Sequence, residues 1–370
     1  MTSLSGIDGV RIAELLDGTQ PVASVYANLQ ATARSEALLR WRHVADGLAD
    51  QGAPVATVDA LAAKVLGSVP GPGVLAAFAR GSTVTLMTVL PGAELSDLVR
   101  YGALPHLVPL LVWEQEHPAR VVAVLDRTGA DIAVYATGST EPLDATVTGP
   151  DDEIERNAPG GWSQGRNQHR AEDSWEHNSA AVADVLARML RRFEARLLLL
   201  AGDVRALQYL EEHLPSWVHS SVAVRRVTGG RSEDGSAERR AEELAAQTRR
   251  IVAERLEALL AEFADRLGTG GAAVEGADET LAALAAGRVR VLLVSAGTPD
   301  QPRAWFGPGP TEVTLRPDLL RQAGQPANEA ALTDVAIRAA LLTDAEVRII
   351  PTGQRASFPD GVAALCRFTP

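Results

Sequence analysis

From about residue 138 to residue 174 the chain runs polar, acidic and glycine-rich, following neither the 3.6-residue period of a helix nor the alternation of a strand. So long an aperiodic stretch is unusual inside a compact domain unless it has a task, and the fold around it must come from its flanks. Before it stand residues 120–125 (RVVAVL) and 131–135 (DIAVY), parted by Arg127-Thr-Gly-Ala, which is a hairpin pattern. After it the pattern predicts a helix over 174–195, a buried strand over 196–200, a helix over 204–213 and a strand over 222–227. Strands alternating with helices imply α/β layering.

The same reading extends to both sides. Residues 12–16 and 31–49 have helical spacing, 22–29 (VASVYANL) reads as a strand, and Asp59 is a candidate N-cap for a helix through Leu66. Residues 74–78 and 84–89 are expected strands joined by a turn at Arg80-Gly81, and LPHLVPLLVWEQ, with two prolines, is expected to be extended. Residues 237–267 form a long helical pattern, followed by a hinge at Gly268-Thr-Gly-Gly. The remainder predicts a helix at 278–286, a strand at 289–294, a helix at 329–343, and strands at 346–350 and 361–368. The expected organisation is three segments: an α+β domain over 1–117, a central α/β domain over 118–236, and a linking helix with an α/β domain over 237–370.

A length of 370 residues with 46% hydrophobic content supports several folded cores. The single cysteine, Cys366, sits in an apolar strand pattern and cannot form an internal disulfide, which fits a reducing cytoplasm. No basic segment precedes an apolar run at the start, and no apolar stretch approaches the roughly 20 residues of a membrane span. A soluble, cytoplasmic protein without membrane contact, and monomeric, is the expectation. The net charge of −12 excludes a general nucleic-acid binder, so any RNA contact must be local. Lys64 is the only lysine, leaving positive charge almost wholly to arginine, whose planar fork suits phosphates.

One local exception stands at the end of the aperiodic stretch. Residues 160–170 (GGWSQGRNQHR) contain no acid, whereas Asp151, Asp152, Glu153 and Glu155 precede them and Glu172, Asp173 and Glu176 follow. Gly160 and Gly161 open backbone conformations closed to other residues. Trp162 offers a stacking face, and Gln164, Arg166, His169 and Arg170 offer polar and phosphate contacts.

A strand hairpin, a long loop ending in Gly-Gly-X-Ser, arginines, and then a helix bearing Asn178 resemble the central domain of the archaeo-eukaryotic release factors and Pelota. GADETLAALAAGRVRVLLV and EVRIIPTGQRASFPDGVAALCRF resemble their C-terminal domain, and VASVYANL with ATARSEALLRWR resembles the opening of the family's bacterial branch. Gly160-Gly161-Trp162-Ser163 with Trp175-Glu176-His177-Asn178 looks like the actinobacterial group related to Balon. The resemblance implies a three-domain α/β architecture and a ribosome-binding translation factor. As a hibernation factor of stressed, dormant cells it would occupy the A site of idle ribosomes, with Gly160, Gly161, Trp162, Ser163, Gln164, Arg166, His169 and Arg170 toward rRNA of the peptidyl transferase centre. Elongation factor Tu is implied as a further partner.

In release factors of this type a glutamine follows the glycine pair and helps place water against the peptidyl-tRNA ester. Here Trp162 holds that position, and an indole donates one N–H but accepts no hydrogen bond. The expectation is therefore a binding protein rather than an enzyme, with no cofactor. The alternative is a peptidyl-tRNA hydrolase in rescue or release, in which Gln164 substitutes by another loop path. A ribonuclease is a third class, but no carboxylate cluster stands out for it.

Other candidates read as structural. His169 and His177 lack the i, i+4 pairing or cysteine companions of a metal site. Ser163 lacks a nucleophile-elbow context, and the prolines of Gly307-Pro-Gly-Pro remove donors a phosphate loop needs. Trp175 is expected in a core, and His213 and His219 as packing or loop residues. Arg225, Arg226, Arg231, Arg239 and Arg240 form a second basic stretch, expected to be a solvated face.

Overall fold

The computed structural model describes residues 9–28, 34–67, 73–126, 129–148, 164–228, 236–297, 302–352 and 358–369. Chain contacts divide the protein into two compact units, one formed by Met1–Gln115 with Glu257–Pro370 and the other by Glu116–Leu256.

The first unit opens with α1 (Gly9–Leu15), β1 (Val22–Ala27), α2 (Arg34–Asp50) and α3 (Val55–Gly67). Strands β2 (Val74–Arg80), β3 (Thr83–Leu90) and β4 (Leu98–Gly102) complete an antiparallel sheet of order β3-β2-β1-β4. All six residues of β1 are buried because the strand is central and covered on both faces. Ala23, Val25 and Ala27 pack with Trp41, Val44, Leu48, Leu61 and Val65 of α2 and α3, while Val22 and Tyr26 belong to the opposite face.

Two local expectations are corrected here. The proline-containing run at 104–115 is helical from Val108 onward, as α4 (Val108–Glu116), because Pro109 stands in the first turn where no N–H is required, while residues 104–107 are not helical. Asp59 does not cap α3; the helix starts four residues earlier, after Pro54, whose carbonyl accepts from the amides of Thr57 and Val58.

The second unit is a five-stranded mixed sheet. Strands β5 (Arg120–Asp126) and β6 (Gly129–Tyr135) form the expected hairpin, and β7 (Leu143–Thr148) pairs along β6. Helix α5 (Gln164–Arg192) leads to β8 (Leu197–Gly202), α6 (Val204–His213), α7 (Ser216–Ser221) and β9 (Ala223–Arg226), giving the order β7-β6-β5-β8-β9 with β5-β8 and β8-β9 parallel. The stretch expected to be loop over 138–174 therefore contains a strand and the first turns of a helix. The alternation of Leu143, Ala145 and Val147 was too short to stand out among polar residues.

Asp203 caps α6, its carboxylate accepting from the amides of Arg205 at 2.8 Å and Ala206 at 3.3 Å. One sheet face is covered by α5, α6 and α7 through Val182, Leu186, Leu190, Leu207, Leu210 and Val218. The other packs Val122, Val124, Leu197 and Leu199 against Ile251 of α8 (Ser236–Gly268).

The last turns of α8 belong to the first unit. There follow β10 (Ala273–Glu275), α9 (Ala277–Ala285), β11 (Val289–Ser295), β12 (Arg303–Phe306), β13 (Val313–Thr314), α10 (Pro317–Gln322), β14 (Asn328–Ala331), α11 (Leu332–Leu342), β15 (Glu346–Ile350) and β16 (Val362–Cys366). They build a mixed sheet, β10-β16-β11-β15, and a small antiparallel one, β13-β12-β14. Residues 329–331, expected to open a helix, pair with β12 instead, and the helix starts at Leu332. Cys366 is buried.

The fold class is α/β with mixed sheets in the central and C-terminal segments and an antiparallel one at the N-terminus. We propose that residues 1–117, 118–236 and 237–370 are three domains within these two units. The outer two segments share one core, in which Ile12, Phe78 and Leu110 cluster with Leu284, Phe306 and Val335.

Candidate functional site

Gly160, Gly161, Trp162 and Ser163 lie outside the described residues. What the structure does define is what comes next: α5 begins at Gln164, one residue after the motif, and runs 29 residues, about 43 Å at 1.5 Å per residue. Gln164, Arg166, His169 and Arg170 thus belong to its first two turns rather than to a loop tip. Arg166, His169 and Arg170 fall at i, i+3 and i+4, positions that share one helix face.

The C-terminal half of α5 is the anchor. Val182, Ala183, Leu186 and Leu190 recur at helical spacing and are buried against β5, β6 and β8. Asn178 and Ser179 are buried as well. The motif is therefore joined without a linker to a helix whose far half is fixed in the sheet's core. Trp175, expected in a core, lies on the same helix, and its side chain is outside the described residues.

No acid occupies the first turn of α5, although a helix N-terminus favours negative charge by about 0.3–1 kcal/mol. Arginine there opposes the helix dipole, so Arg166 is placed against local helix stability.

The second basic stretch is largely neutralised where it is described. Arg226 forms a two-bond pair with Glu211, at 2.8 and 2.7 Å, and these hydrogen bonds raise the arginine's already high pKa. Arg225 meets Glu254 at 3.2 Å, and Arg250 meets the same carboxylate at 2.9 Å. Bonds from Arg250 first, then from Arg225, hold Glu254 below the ordinary carboxylate range. Arg231 lies outside the described residues, as do the side chains of Arg239 and Arg240. His213 Nδ1 lies 2.7 Å from the carbonyl of Tyr209 and His219 Nε2 lies 3.2 Å from that of Glu211, so both contact backbone.

A different set of arginines escaped the sequence reading. Arg188, Arg191 and Arg192, in the last turns of α5, and Arg196, just before β8, are all exposed. The i, i+3, i+4 spacing of the first three on the polar side of an apolar stripe was the signal available. Among the described residues, no group of three His, Cys, Asp or Glu side chains is placed to hold a metal. No helix among them is long and apolar enough to cross a membrane.

Residues 119–269, from the start of β5 through α8, match the model of bacterial archaeo-eukaryotic release factor family 2. The chain is 31% identical over 378 aligned residues to protein Rv2629 of Mycobacterium tuberculosis (strain ATCC 25618 / H37Rv), covering 97% of this chain and 96% of that one. The same figures hold for MT2704 of strain CDC 1551 / Oshkosh. Among solved structures, the archaeal translation termination factor aRF1 is 17% identical with 97% of each chain covered and a TM-score of 0.25. Pelota of Archaeoglobus fulgidus is 18% identical over 80% of this chain and 79% of that one, with a TM-score of 0.32. For Dom34 of S. cerevisiae the identity is 10%, 76% of each chain is covered and the TM-score is 0.40. On its sequence relatives and the matched central segment, the chain belongs to the bacterial archaeo-eukaryotic release factor family.

Proposed function

We propose that this protein is a ribosome-binding translation factor that occupies the A site of idle or stressed ribosomes without cleaving peptidyl-tRNA. The observation that carries the reading is Gly160-Gly161-Trp162-Ser163 set one residue ahead of α5, a helix anchored in the central sheet. Family membership supports a place on the ribosome, and the motif's resemblance to the release-factor loop supports a reach toward the peptidyl transferase centre. Residue chemistry argues against hydrolysis: Trp162 presents an indole where a glutamine would help position water. A flat aromatic suits base stacking, worth about 1–3 kcal/mol per base.

In this reading Gly160, Gly161, Trp162, Ser163, Gln164, Arg166, His169 and Arg170 contact rRNA. The protein acts in the cytoplasm as a hibernation factor of the kind the Balon-like resemblance implies, and elongation factor Tu is the expected companion. Ribosome profiles from starved cells expressing a tagged copy test it. The tag should co-migrate with 70S particles, and its confinement to the ribosome-free fractions would sink the reading.

A further inference from the structure

Along the last turns of α5, Arg188, Arg191 and Arg192 stand at i, i+3 and i+4, and Arg196 follows immediately before β8. Among the described residues no carboxylate lies within ion-pair distance of any of the four. Elsewhere in the same unit Arg225, Arg226 and Arg250 each end on a glutamate. Asp184 and Glu194 are the nearest acids in sequence, both exposed, and neither pairs with the four arginines.

Complementing the helix dipole explains a basic residue or two in the final turn. It does not explain Arg188, which lies earlier, or Arg196, which lies beyond the end. Nor does it explain the aromatic beside them: the Arg191 guanidinium lies 4.7 Å over the half-buried ring of Trp217 on α7. The carbonyl of Arg196 accepts from Nη2 of Arg255 at 2.6 Å, which ties the end of this stretch to α8. In a chain of net charge −12, Arg188, Arg191, Arg192 and Arg196, paired with no carboxylate among the described residues, make a place where repulsion of phosphates is locally reversed.

We infer that this end of α5 is a second contact for RNA phosphates, roughly 40 Å along the helix from Gln164. The inference rests on the ribosome-binding reading and adds a site to it. RNA is favoured over an acidic protein because the site lies on the same helix as the ribosome-binding residues of the proposed function, and an arginine fork takes phosphate oxygens in pairs. Two contacts at opposite ends of one rigid helix would fix its direction on the ribosome, which neither could do alone.

The test uses the full chain and the triple variant Arg188→Gln, Arg192→Gln, Arg196→Gln, which leaves the Arg191–Trp217 contact intact. Its counterpart with Lys at the same three positions keeps the charge. Anisotropy of a short fluorescein-labelled RNA hairpin is followed from about 50 to about 200 mM salt. The Gln variant should bind about tenfold or more weakly, with a log–log salt slope shallower by about 2 to 3, and the Lys variant should keep the slope of the unmodified protein. Equal affinity and slope for the Gln variant and the unmodified protein would overturn the site. So would displacement of the hairpin by polyglutamate as readily as by unlabelled RNA, which would indicate an acidic protein partner. Pelleting with purified 70S ribosomes separates the two levels. Equal pelleting of unmodified and Gln proteins refutes the second contact and leaves the ribosome reading standing. Failure of the unmodified protein to pellet refutes that reading, and the hairpin then judges the arginines alone.

Discussion

The Nε of Arg338 donates to the carbonyl of Leu16 at 2.8 Å, across 322 residues of sequence. Its two terminal nitrogens reach the carbonyls of Gly309 at 3.1 Å and Pro308 at 2.9 Å, and the guanidinium lies 4.9 Å over the ring of Phe306. The side chain is fully buried, and burial lowers its pKa, an effect that the charges of Glu312 and Asp17 oppose. One planar fork thus satisfies three backbone oxygens from two distant stretches of chain. Replacing Arg338 with Leu strands those oxygens and should cost about 3 kcal/mol or more in chemical denaturation. Arg338→Lys should cost nearly as much, because a single ammonium cannot span the same three acceptors.

Gly202 ends β8 at φ 127°, and a Cβ there would lie 1.9 Å from the carbonyl oxygen of Leu125. That oxygen also accepts the amide of Asp203, so it cannot move aside without loosening the cap of α6. Gly202→Ala should therefore lower the melting temperature sharply and weaken near-ultraviolet signals from Trp217, while Gly52→Ala, open on all sides but also at positive φ, should have a smaller effect.

Asp17 and Arg80 give the clearest pH signature. Partial burial raises the Asp17 carboxyl, but hydrogen bonds from Arg80 and Thr19 outweigh it and hold the group below its ordinary value of 3.8. A carboxylate depressed in the folded state contributes stability above its unfolded pKa and loses it as pH falls through the folded value. Asp17→Asn should accordingly reduce the melting temperature near neutral pH. The gap to the unmodified protein should close as pH falls below 3.8. A gap independent of pH would contradict the assignment.

Much of the fold was legible because it rests on local patterns. The β5–β6 hairpin follows from two apolar runs around a turn, and α6 was bounded at the residues observed, whereas its cap, Asp203, emerged only from the structure. Helix α8 followed from a long charged pattern. The failures have physical causes. Prolines suggested extension at α4, yet a first-turn proline costs a helix nothing. Strands β7, β12, β13 and β14 are short or polar, so only their partners identify them. The shared core of the outer segments depends on pairs such as Arg338 with Leu16, which no sequence window contains. At the candidate site, the residue types were legible, but the start of α5 ten residues earlier than expected was not.

That earlier start yields a prediction separating binding from stability. Arg166 lies in the first turn of α5, where its charge opposes the dipole, and Arg170 lies one turn on. Arg166→Ala with Arg170→Ala should leave thermal stability unchanged or slightly raised. The same change should weaken ribosome binding and flatten its salt dependence by about 1 to 2 in log–log slope. A matching loss of stability and binding would mean that the arginines serve the fold.

The central claim is that the Gly160-Gly161-Trp162-Ser163 loop holds a ribosomal site and cleaves nothing there. Release of labelled peptide from ribosomes carrying peptidyl-tRNA, measured while the protein is shown to co-pellet with them, tests this most directly. The account predicts stoichiometric pelleting with release at the background rate. Release above background by the unmodified protein, lost on Gln164→Ala, would contradict it and establish a hydrolase.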